Sequence, residues 1–591
     1  MAVKTRRLGL SGYFKRDTSS SRLFVQGKGA IKLSSADFKA QGGEGSIFVK
    51  GSTAYKIYID PQKAISPAKI QELSGLTDSN IIRPLDLLLD GKNRPVGYSM
   101  RYVGKSFALC QLFPKAFRQR NNLTPDLTLK LVRKMQDGVR HVHNGGILIV
   151  DLNELNFLVA EDFSEVYFID VDSYQTPSFP ATALMESVRD RHAQSFTTTS
   201  DWFSFAVVSF QMFVGIHPFK GTYAPLQNLS DKALKLDERM RANVSVLHTG
   251  VSVPPSCLPF SVIPPAYLAW YNAVFETGKR IRPPDSLIVK LTVSHSPTPL
   301  RIGSNSGSSS IFEVTELREF DGEILWHDRS ITVTKKSIYF GGRQYAKPNF
   351  DVRVALTPRQ QHVVVAFMDG LKPHFYDLTA NVELGPTIGG EAIMLNDGRV
   401  YLKQNEHIVA VEFLELARHT LLTGRVVANV MSKSTLVFDG LAIQNLLGAS
   451  YAAIPIAPDV CHQIRLAELD GYQVVDARLM KNVLLVVATK SGIYDKLIFR
   501  FADDFSSYDV RVVANIAATD IEFTVLDSGI VLSVTDEGDF EVFSRVKHSA
   551  EIKVIDDPAV EGDLRLFHVG TQALIARGNR LHKINMLRPI A

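Results

Sequence analysis

Residues 148–174 read LIVDLNELNFLVAEDFSEVYFIDVDSY, and this stretch decides the fold of the first half of the chain. Two apolar runs, residues 147–150 and 166–169, flank a polar turn. The pattern predicts a strand or tight loop that presents Asp151 and Asn156 beside Asp170. Carboxylate and amide oxygens suit Mg²⁺, and a carboxylate can also accept a proton. The competing interpretation is a pair of acidic turns that only cap strands.

The composition is that of ordinary globular domains. The 591 residues are 45% hydrophobic and 21% charged. A chain of this length is too long for one core, so we expect about two to four domains. The net charge of +5, from 66 basic and 61 acidic side chains, is too balanced to indicate a nucleic-acid partner.

The sequence carries no signal for a membrane or an oxidising compartment. No apolar run approaches the roughly 20 residues that span a bilayer, and no signal-peptide pattern follows Met1. The three cysteines, Cys110, Cys257 and Cys461, are far apart and form no metal-ligand pattern. We therefore expect a cytoplasmic protein without a membrane span.

The first 29 residues form a basic segment in which Asp17 is the single acid. Its basic residues are Lys4, Arg6, Arg7, Lys15, Arg16, Arg22 and Lys28. Such a segment is expected to be a mobile, solvated tail. A docking arm for an acidic partner and a transit peptide are the alternatives.

Folded structure is expected to begin at Ala30 and to lead into a glycine-rich turn, QGGEG at residues 41–45. Gly42, Gly43 and Gly45 allow the backbone to approach phosphate groups closely. Most glycine hairpins are only turns. Lys56 carries more weight, because it lies alone in an apolar strand and a buried lysine needs an anionic partner.

A small strand-rich lobe is predicted to precede a helical lobe. In the predicted helix 66–76, Glu72 either pairs with Lys56 or faces solvent. Further strands are predicted at 81–89 and 96–102, and a helix with a 3.6-residue apolar stripe at 127–143. A nucleotide would bind in the crevice between the two lobes.

Several segments resemble those of protein kinase domains and occur in the same order. They are GGEGSIF, AYKIY, VGYSMRYV, HNGGILIVDLNELNFLV, YFIDVDSYQ, SDWFSFAVVSFQMFVGIHPF and RIRPP. They are most similar to the atypical bacterial group associated with helix-hairpin-helix kinases. The resemblance covers residues 30–293 and implies an α+β bilobal fold that uses ATP and Mg²⁺ to phosphorylate Ser or Thr.

The resemblance implies roles for five residues of the centre. Lys56 would neutralise the α and β phosphates, and Glu72 would hold Lys56. Asp151 would be the catalytic base, while Asn156 and Asp170 would bind Mg²⁺.

Further roles follow from the same resemblance. Nucleotide contacts are implied for the glycine turn and for a hinge beside the adenine, formed by Met100, Arg101, Tyr102 and Val103. Asp201 would brace the catalytic loop from a long helix. Glu186 would close the segment after Asp170 and pair with Arg282.

The chain departs from the kinase pattern in three places. Ile149 and Val150 replace the usual His-Arg, so control by loop phosphorylation is not expected. Asn153 stands where many Ser/Thr kinases have a lysine, which leaves the substrate class open. Residues 170–172 read Asp-Val-Asp instead of Asp-Phe-Gly, so Asp172 is either a second metal ligand or a turn cap.

Residues 294–310, SHSPTPLRIGSNSGSSS, are predicted to be a flexible linker between independently moving parts. Cleavage within it would then release two folded pieces.

From residue 311 onward, short apolar runs alternate with glycine turns. Gly398, Gly440, Gly492, Gly538 and Gly578 are 42, 52, 46 and 40 residues apart, near the period of one four-stranded propeller blade. We expect residues 311–591 to form an all-β propeller of six or seven blades that recruits a protein substrate or a regulatory protein. A pair of β-sandwiches is the alternative fold.

Three functions remain open from the sequence. The first is an ATP- and Mg²⁺-dependent Ser/Thr protein kinase, and the second is an ATP-binding pseudokinase scaffold. The third is a kinase-like transferase that acts on a non-protein substrate or transfers a nucleotidyl group, which Asn153 and the residues 170–172 suggest.

Overall fold

The computed structural model describes residues 22–226, 228–229, 231–285, 300–301, 311–416, 419–557 and 564–586. Two parts follow one another along the chain. We call residues 22–285 the N-terminal module and residues 312–586 the C-terminal sheet array. Residues 1–21 of the predicted tail and most of the predicted linker lie outside the described residues, whereas residues 22–29 of the predicted tail are described and include β-strand residues.

The N-terminal module opens with a seven-stranded sheet of order β2-β1-β6-β7-β5-β4-β3. Its strands are β1 (Leu23–Val25), β2 (Gly29–Ile31), β3 (Phe38–Gln41), β4 (Gly45–Lys50), β5 (Thr53–Tyr58), β6 (Leu87–Leu89) and β7 (Pro95–Arg101). The sheet therefore begins before the predicted boundary at Ala30. Between β5 and β6 lies the helix α1 (Pro67–Leu73), whose N-terminus is capped because the Ser66 side chain accepts a hydrogen bond from Lys69 N.

The rest of the N-terminal module is mainly helical. Its helices are α2 (Lys115–Arg120), α3 (Pro125–Asn144), α4 (Thr198–Val214), α5 (Lys232–Ala242) and α6 (Pro265–Phe275). Short strands lie between them: β8 (Ser106–Ala108), β9 (Phe157–Ala160), β10 (Val166–Phe168), β11 (Thr222–Tyr223) and β12 (Val251–Val253). Strand β13 (Leu300–Arg301) follows the module in the chain and pairs with β12. Among the described residues, no helix is long and apolar enough to cross a membrane.

The helix α3 forms the centre of the helical part. Its predicted apolar stripe is buried, with Leu131, Val139 and Val142 fully inaccessible to solvent. The helix α4, which packs beside α3, is buried on all sides because nearly every residue in it is apolar or small. Gly138 lets α3 approach β10, since a Cβ there would lie 2.3 Å from the Phe168 ring. This contact fixes the strand that leads into Asp170.

The C-terminal sheet array contains seven antiparallel four-stranded sheets among its described residues. The strands are β14 (Phe312–Glu319), β15 (Ile324–Asp328), β16 (Ile331–Thr334), β17 (Ser337–Phe340), β18 (Arg343–Ala346), β19 (Val352–Leu356), β20 (Val363–Asp369), β21 (Lys372–Asp377), β22 (Val382–Glu383), β23 (Ala392–Asn396), β24 (Arg399–Gln404), β25 (His407–Glu415), β26 (Thr420–Asn429), β27 (Thr435–Phe438), β28 (Leu441–Leu446), β29 (Ala449–Ala457), β30 (Val460–Arg465), β31 (Gln473–Met480), β32 (Val483–Lys490), β33 (Ile493–Phe501), β34 (Tyr508–Val513), β35 (Phe523–Val525), β36 (Ile530–Val534), β37 (Phe540–Ser544), β38 (Ile552–Ile555), β39 (Arg565–Val569), β40 (Gln572–Arg577) and β41 (Arg580–Met586).

The first and last strands of the array share one sheet. Strand β14 pairs with β41, whereas the other six sheets each consist of four consecutive strands. Residues of β15, β19, β23, β31 and β39 line one shared cavity of about 1490 Å³. These features are compatible with the predicted propeller.

The five glycines that gave the predicted period all lie in hairpin turns, but not in equivalent ones. Gly398 and Gly440 join the first and second strands of their sheets. Gly492, Gly538 and Gly578 join the second and third strands. The spacing varies between 40 and 52 residues partly because it mixes two kinds of turn.

The two parts are docked against each other, which the predicted flexible linker did not lead us to expect. Helix α2 contacts the array through Arg120 Nη2, which lies 3.2 Å from Asp476 Oδ1. On the opposite side, Lys433 Nζ donates to the Val49 carbonyl oxygen at 2.6 Å. Apolar residues of both parts share one buried cluster. The N-terminal module and the array therefore form a continuous interface.

Cleavage of the chain within residues 302–310, at an introduced protease site, is expected to leave the two pieces associated. The shared apolar cluster and the polar contacts of Arg120 and Lys433 hold them together without the covalent link. Size-exclusion chromatography of the cut protein should give one peak at the position of the uncut chain. Two separate peaks at micromolar concentration would contradict the docked arrangement.

Candidate functional site

Lys56 lies at the centre of the site because alternation along β5 turns its side chain inward. The residue is 5% exposed and lies opposite Tyr98 of β7. Its Nζ atom is 2.6 Å from Asp170 Oδ1 and 2.8 Å from Asp172 Oδ2. Burial alone would lower the pKa of Lys56, but the two carboxylates outweigh burial and raise it. The side chain is therefore a buried, charged ammonium group.

Asp172 is held by four donors, which sequence analysis did not identify. The hydroxyls of Tyr58 and Tyr98 each donate to its carboxylate at 2.6 Å. Lys56 is the third donor, and Lys69 Nζ donates to the Asp172 carbonyl oxygen at 2.7 Å. Burial opposes ionisation, but Lys56 and the tyrosines lower the pKa of Asp172. A signal was present, since Tyr58 follows Lys56 by two residues and shares its face of β5.

The hairpin of β9 and β10 brings Asn156 and Asp170 to the same end. Phe157 pairs with Phe168, so Asn156 lies opposite Ile169, and Ile169 N donates to the Asn156 carbonyl oxygen at 3.0 Å. Asp170 adopts a left-handed conformation with φ of 59°. Such a backbone conformation is uncommon for a residue other than glycine and is frequent at functional sites. Burial and the neighbouring Asp172 raise the pKa of Asp170 to about 6, against the effect of Lys56.

Asp151 lies on a loop that Asp201 braces, as the sequence predicted. The Asp201 carboxylate accepts hydrogen bonds from Ile149 N at 2.8 Å and Val150 N at 2.9 Å. Asn156 Nδ2 lies 3.2 Å from Asp151 Oδ2 and 2.9 Å from the Asp151 carbonyl oxygen. The structure thus brings Asp151 and Asn156 into direct contact.

The segment after Asp170 returns to Asp151. Met185 N donates to Asp151 Oδ1 at 2.7 Å. With the contact from Asn156, each carboxylate oxygen of Asp151 has a donor from the chain itself.

The predicted nucleotide-binding residues flank Lys56 along the sheet. Gly45 is required by close strand packing, since a Cβ there would lie 2.7 Å from the Ile57 carbonyl oxygen. Gly43 has open space around it, which leaves its backbone accessible. Gly42 N donates to the Gly45 carbonyl oxygen at 2.9 Å and closes the turn. The predicted hinge residues Met100, Arg101, Tyr102 and Val103 lie at the end of β7 and directly after it.

The predicted pairing of Glu72 with Lys56 is wrong. Glu72 Oε2 accepts a hydrogen bond from Ser178 N at 3.2 Å, and the helix α1 turns Lys69 instead toward the site. Residues 69 and 72 are neighbours on one face of α1 and lie almost one turn apart along its axis, so Lys69 reaches the Asp172 carbonyl oxygen while Glu72 reaches Ser178. Lys56 takes its anions from Asp170 and Asp172.

The predicted pairing of Glu186 with Arg282 is also not what the structure contains. Glu186 is exposed and pairs with Arg189 at 3.2 Å. Asp190 instead binds Arg280, with oxygen-to-nitrogen distances of 2.5 and 2.6 Å. The pair is thus shifted to a buried acid four residues later, because burial strengthens a bidentate contact.

The carboxylates around Lys56 are of the type that binds magnesium, and in this structure all three lie within 3.6 Å of Lys56 Nζ. Glu44, Asp170 and Asp172 each offer a carboxylate oxygen, and these atoms lie within 4.8 Å of one another. Mg²⁺ prefers such oxygen ligands. Of the two predicted ligands, Asp170 belongs to this group, while Asn156 turns its Nδ2 toward Asp151. Glu44 was not predicted.

Removing the hydroxyl of Tyr98 is expected to destabilise the site. The variant Tyr98→Phe leaves the buried Asp172 carboxylate without one of its donors, at a cost of about 1.5–3 kcal/mol in the free energy of unfolding. Urea denaturation monitored by circular dichroism measures the change.

Tyr401→Phe is the matched control. Tyr401 is as buried as Tyr98, and its hydroxyl has no hydrogen-bond partner among the described residues. Its removal should change the free energy of unfolding by less than about 0.5 kcal/mol. Equal losses for the two variants would show that Asp172 does not depend on Tyr98.

Comparison with known proteins supports a kinase-like domain in this chain. No protein-family model matches it. The chain is 26% identical over 266 residues to "Protein kinase YegI" of Escherichia coli O157:H7. This alignment covers 40% of the chain and 41% of the relative. The protein of the same name from strain K12 is 27% identical over 267 residues, 40% of each chain. "Serine/threonine-protein kinase atg1" of Dictyostelium discoideum is 23% identical over 187 residues, 30% of this chain and 27% of the relative.

The chain thus spans about two-fifths or less of the length of these curated relatives. The similarity and the contacts of Lys56, Asp151, Asn156 and Asp170 together make the N-terminal module kinase-like.

Proposed function

We propose that the chain is an ATP- and Mg²⁺-dependent protein kinase that phosphorylates Ser or Thr side chains. One observation carries this proposal: Lys56 Nζ lies 2.6 Å from Asp170, while Asp151 and Asn156 contact each other on the adjoining loop. Phosphoryl transfer needs a cation for the phosphates, oxygen ligands for magnesium and a carboxylate near the attacking hydroxyl. These four side chains supply all three.

The residues of the chain divide the reaction between them. Asp151 accepts the proton of the substrate hydroxyl. At the same time the hydroxyl oxygen of the substrate forms a bond to the γ-phosphorus, and the bond between the γ-phosphorus and the ADP oxygen breaks. Asn156 holds the Asp151 carboxylate in place, and Lys56 binds phosphate oxygens. When bound by Asp170 and its neighbours, Mg²⁺ supplies charge that offsets the phosphates.

Asp172 holds Lys56, the role that was predicted for Glu72. Its carboxylate orients Lys56 and is itself fixed by Tyr58 and Tyr98. Because Asp172 and Asp170 lie on one turn, the ammonium group and the acid at the metal site are positioned together. The position of Lys56 then does not depend on an acid from α1.

A nucleotide-binding scaffold without transfer is the second candidate. It is favoured by the environment of Asp151, which is 7% exposed and has a donor from the chain on each carboxylate oxygen. A substrate hydroxyl must displace the Met185 contact to reach Oδ1. Transfer of a nucleotidyl group or of phosphate to a non-protein substrate is a further alternative, suggested by Asn153 and the Asp-Val-Asp sequence at 170–172.

We also propose that the C-terminal sheet array is a seven-bladed β-propeller that recruits a protein substrate or a regulatory protein. The pairing of β14 with β41 supports closure of the array, as in a ring of blades. Loops on the two faces of such a ring suit protein recognition.

Incubation of the full chain with γ-labelled ATP and Mg²⁺ tests the kinase proposal. Labelling of the chain or of generic protein substrates is expected for the wild type. Asp151→Asn and Lys56→Met should each lower the rate by about 100-fold or more, because they remove the base and the phosphate-binding cation.

Two controls separate loss of chemistry from loss of charge. Asp162→Asn removes an exposed acid of the β9–β10 turn, and Lys63→Met removes an exposed lysine near β5. Both should label as the wild type does. ATP binding without labelling would overturn the kinase proposal and favour a nucleotide-binding scaffold. Label retained on the protein from α-labelled ATP would indicate nucleotidyl transfer.

A further inference from the structure

The C-terminal sheet array reaches the loop that carries Asp151. Tyr494 of β33 donates its hydroxyl to Glu154 Oε1 at 2.7 Å. Glu154 lies between Asp151 and Asn156 in the sequence and is 2% exposed. The catalytic loop of the N-terminal module therefore has a direct, buried contact with a residue 340 positions away.

This contact satisfies a polar group that the N-terminal module buries. A carboxyl group without a hydrogen-bond donor is costly in the protein interior. Among the side-chain hydrogen bonds of the described residues, Tyr494 supplies the donor to Glu154. Lys220 anchors the same corner, since its Nζ donates to the Ile516 carbonyl oxygen at 2.7 Å and lies 5.6 Å from the centre of the Tyr494 ring.

The same hairpin also contacts the segment on the other side of Asp151. Gly492, in the turn between β32 and β33, lies against Met185 and Ser187. A Cβ at Gly492 would lie 2.3 Å from Met185 Sδ and 2.5 Å from Ser187 Oγ, so a side chain there would displace Met185 or Ser187. Met185 N is the group that donates to Asp151 Oδ1. The β32–β33 hairpin thus touches both the loop after Asp151 and the segment that covers it.

We infer that Tyr494 is a positioning residue for phosphoryl transfer, and that the array is part of the catalytic arrangement in addition to any role in recruitment. The inference rests on the proposed kinase function. Tyr494 acts through Glu154: it holds the loop between Asp151 and Asn156 in the conformation in which the Asn156 side chain contacts the Asp151 carboxylate. Without this hydrogen bond the loop loses its attachment to the array.

The variant Tyr494→Phe in the full chain tests the inference. It removes one hydroxyl and leaves the ring to pack beside Phe113. The value of kcat is expected to fall about 10-fold or more, the range for a lost hydrogen bond to a charged group. KM for ATP should stay within about twofold, because Lys56 and the glycine turn do not touch Tyr494.

Tyr472→Phe is the matched control. Tyr472 directly precedes β31 of the same sheet and donates its hydroxyl to Asp495 Oδ2 at 2.6 Å, a bond that lies within the array. This variant loses a comparable hydrogen bond and should keep the kcat of the wild type. An equal fall in kcat for both variants, or no fall for Tyr494→Phe, would overturn the inference.

Substitutions at Glu154 show whether Tyr494 acts through that residue. Glu154→Ala should lower kcat as Tyr494→Phe does, and the double variant should lose no more than either single variant. Glu154→Gln keeps an oxygen that can accept from Tyr494 and should retain several-fold more activity than Glu154→Ala. Additive losses in the double variant would mean that the two residues act separately.

Hydrogen exchange separates this inference from the proposed function. Backbone amides of residues 152–157 should exchange at least about fivefold faster in Tyr494→Phe than in the wild type. In Tyr472→Phe, their exchange rates should equal those of the wild type. This result does not require turnover. If the wild type transfers no phosphate, the kinase proposal fails, but the exchange rates still show whether Tyr494 holds the loop. Exchange rates in Tyr494→Phe equal to those of the wild type would overturn the positioning role.

Discussion

The buried ammonium group of Lys56 is the constraint on which the N-terminal module depends. A lysine that is 5% exposed needs anions within contact distance, since an unpaired charge in the interior costs several kcal/mol. Its anions, Asp170 and Asp172, come from the turn after β10, which belongs to the helical part. The sheet and the helical part must therefore meet at this point, and the meeting creates the site.

The sequence suggested that Glu72 of α1 anchors Lys56, whereas in the structure Asp172 anchors it. An acid on a helix would make the lysine sensitive to any movement of that helix. Here Asp172 is fixed by two tyrosine hydroxyls from β5 and β7, the strands that flank Lys56 itself. The ammonium group, its anion and the donors of that anion thus form one closed polar cluster. Such fully satisfied clusters are rigid, because each member restricts the others.

Residues that are close in the chain could be placed near one another from the sequence. Asp151 and Asn156 precede the β9–β10 hairpin and Asp170 follows it, so residue spacing predicted their proximity, while their roles stay predictions. Glu72 could not be placed, because the sequence predicts that α1 is a helix but not which of two neighbouring positions on one face, Lys69 or Glu72, contacts the site. The docked array was equally out of reach, since Glu154 and Tyr494 are 340 residues apart and each alone reads as an ordinary loop or strand residue.

The array contacts both the seven-stranded sheet and the helical part of the N-terminal module. Lys433 binds the Val49 carbonyl oxygen on the sheet, and Lys39 Nζ donates to the Lys433 carbonyl oxygen at 2.8 Å. Tyr494 binds Glu154 in the helical part. A body attached to both resists changes in their separation, because opening must break one set of contacts. The array therefore connects the sheet that carries Lys56 to the loop that carries Asp151.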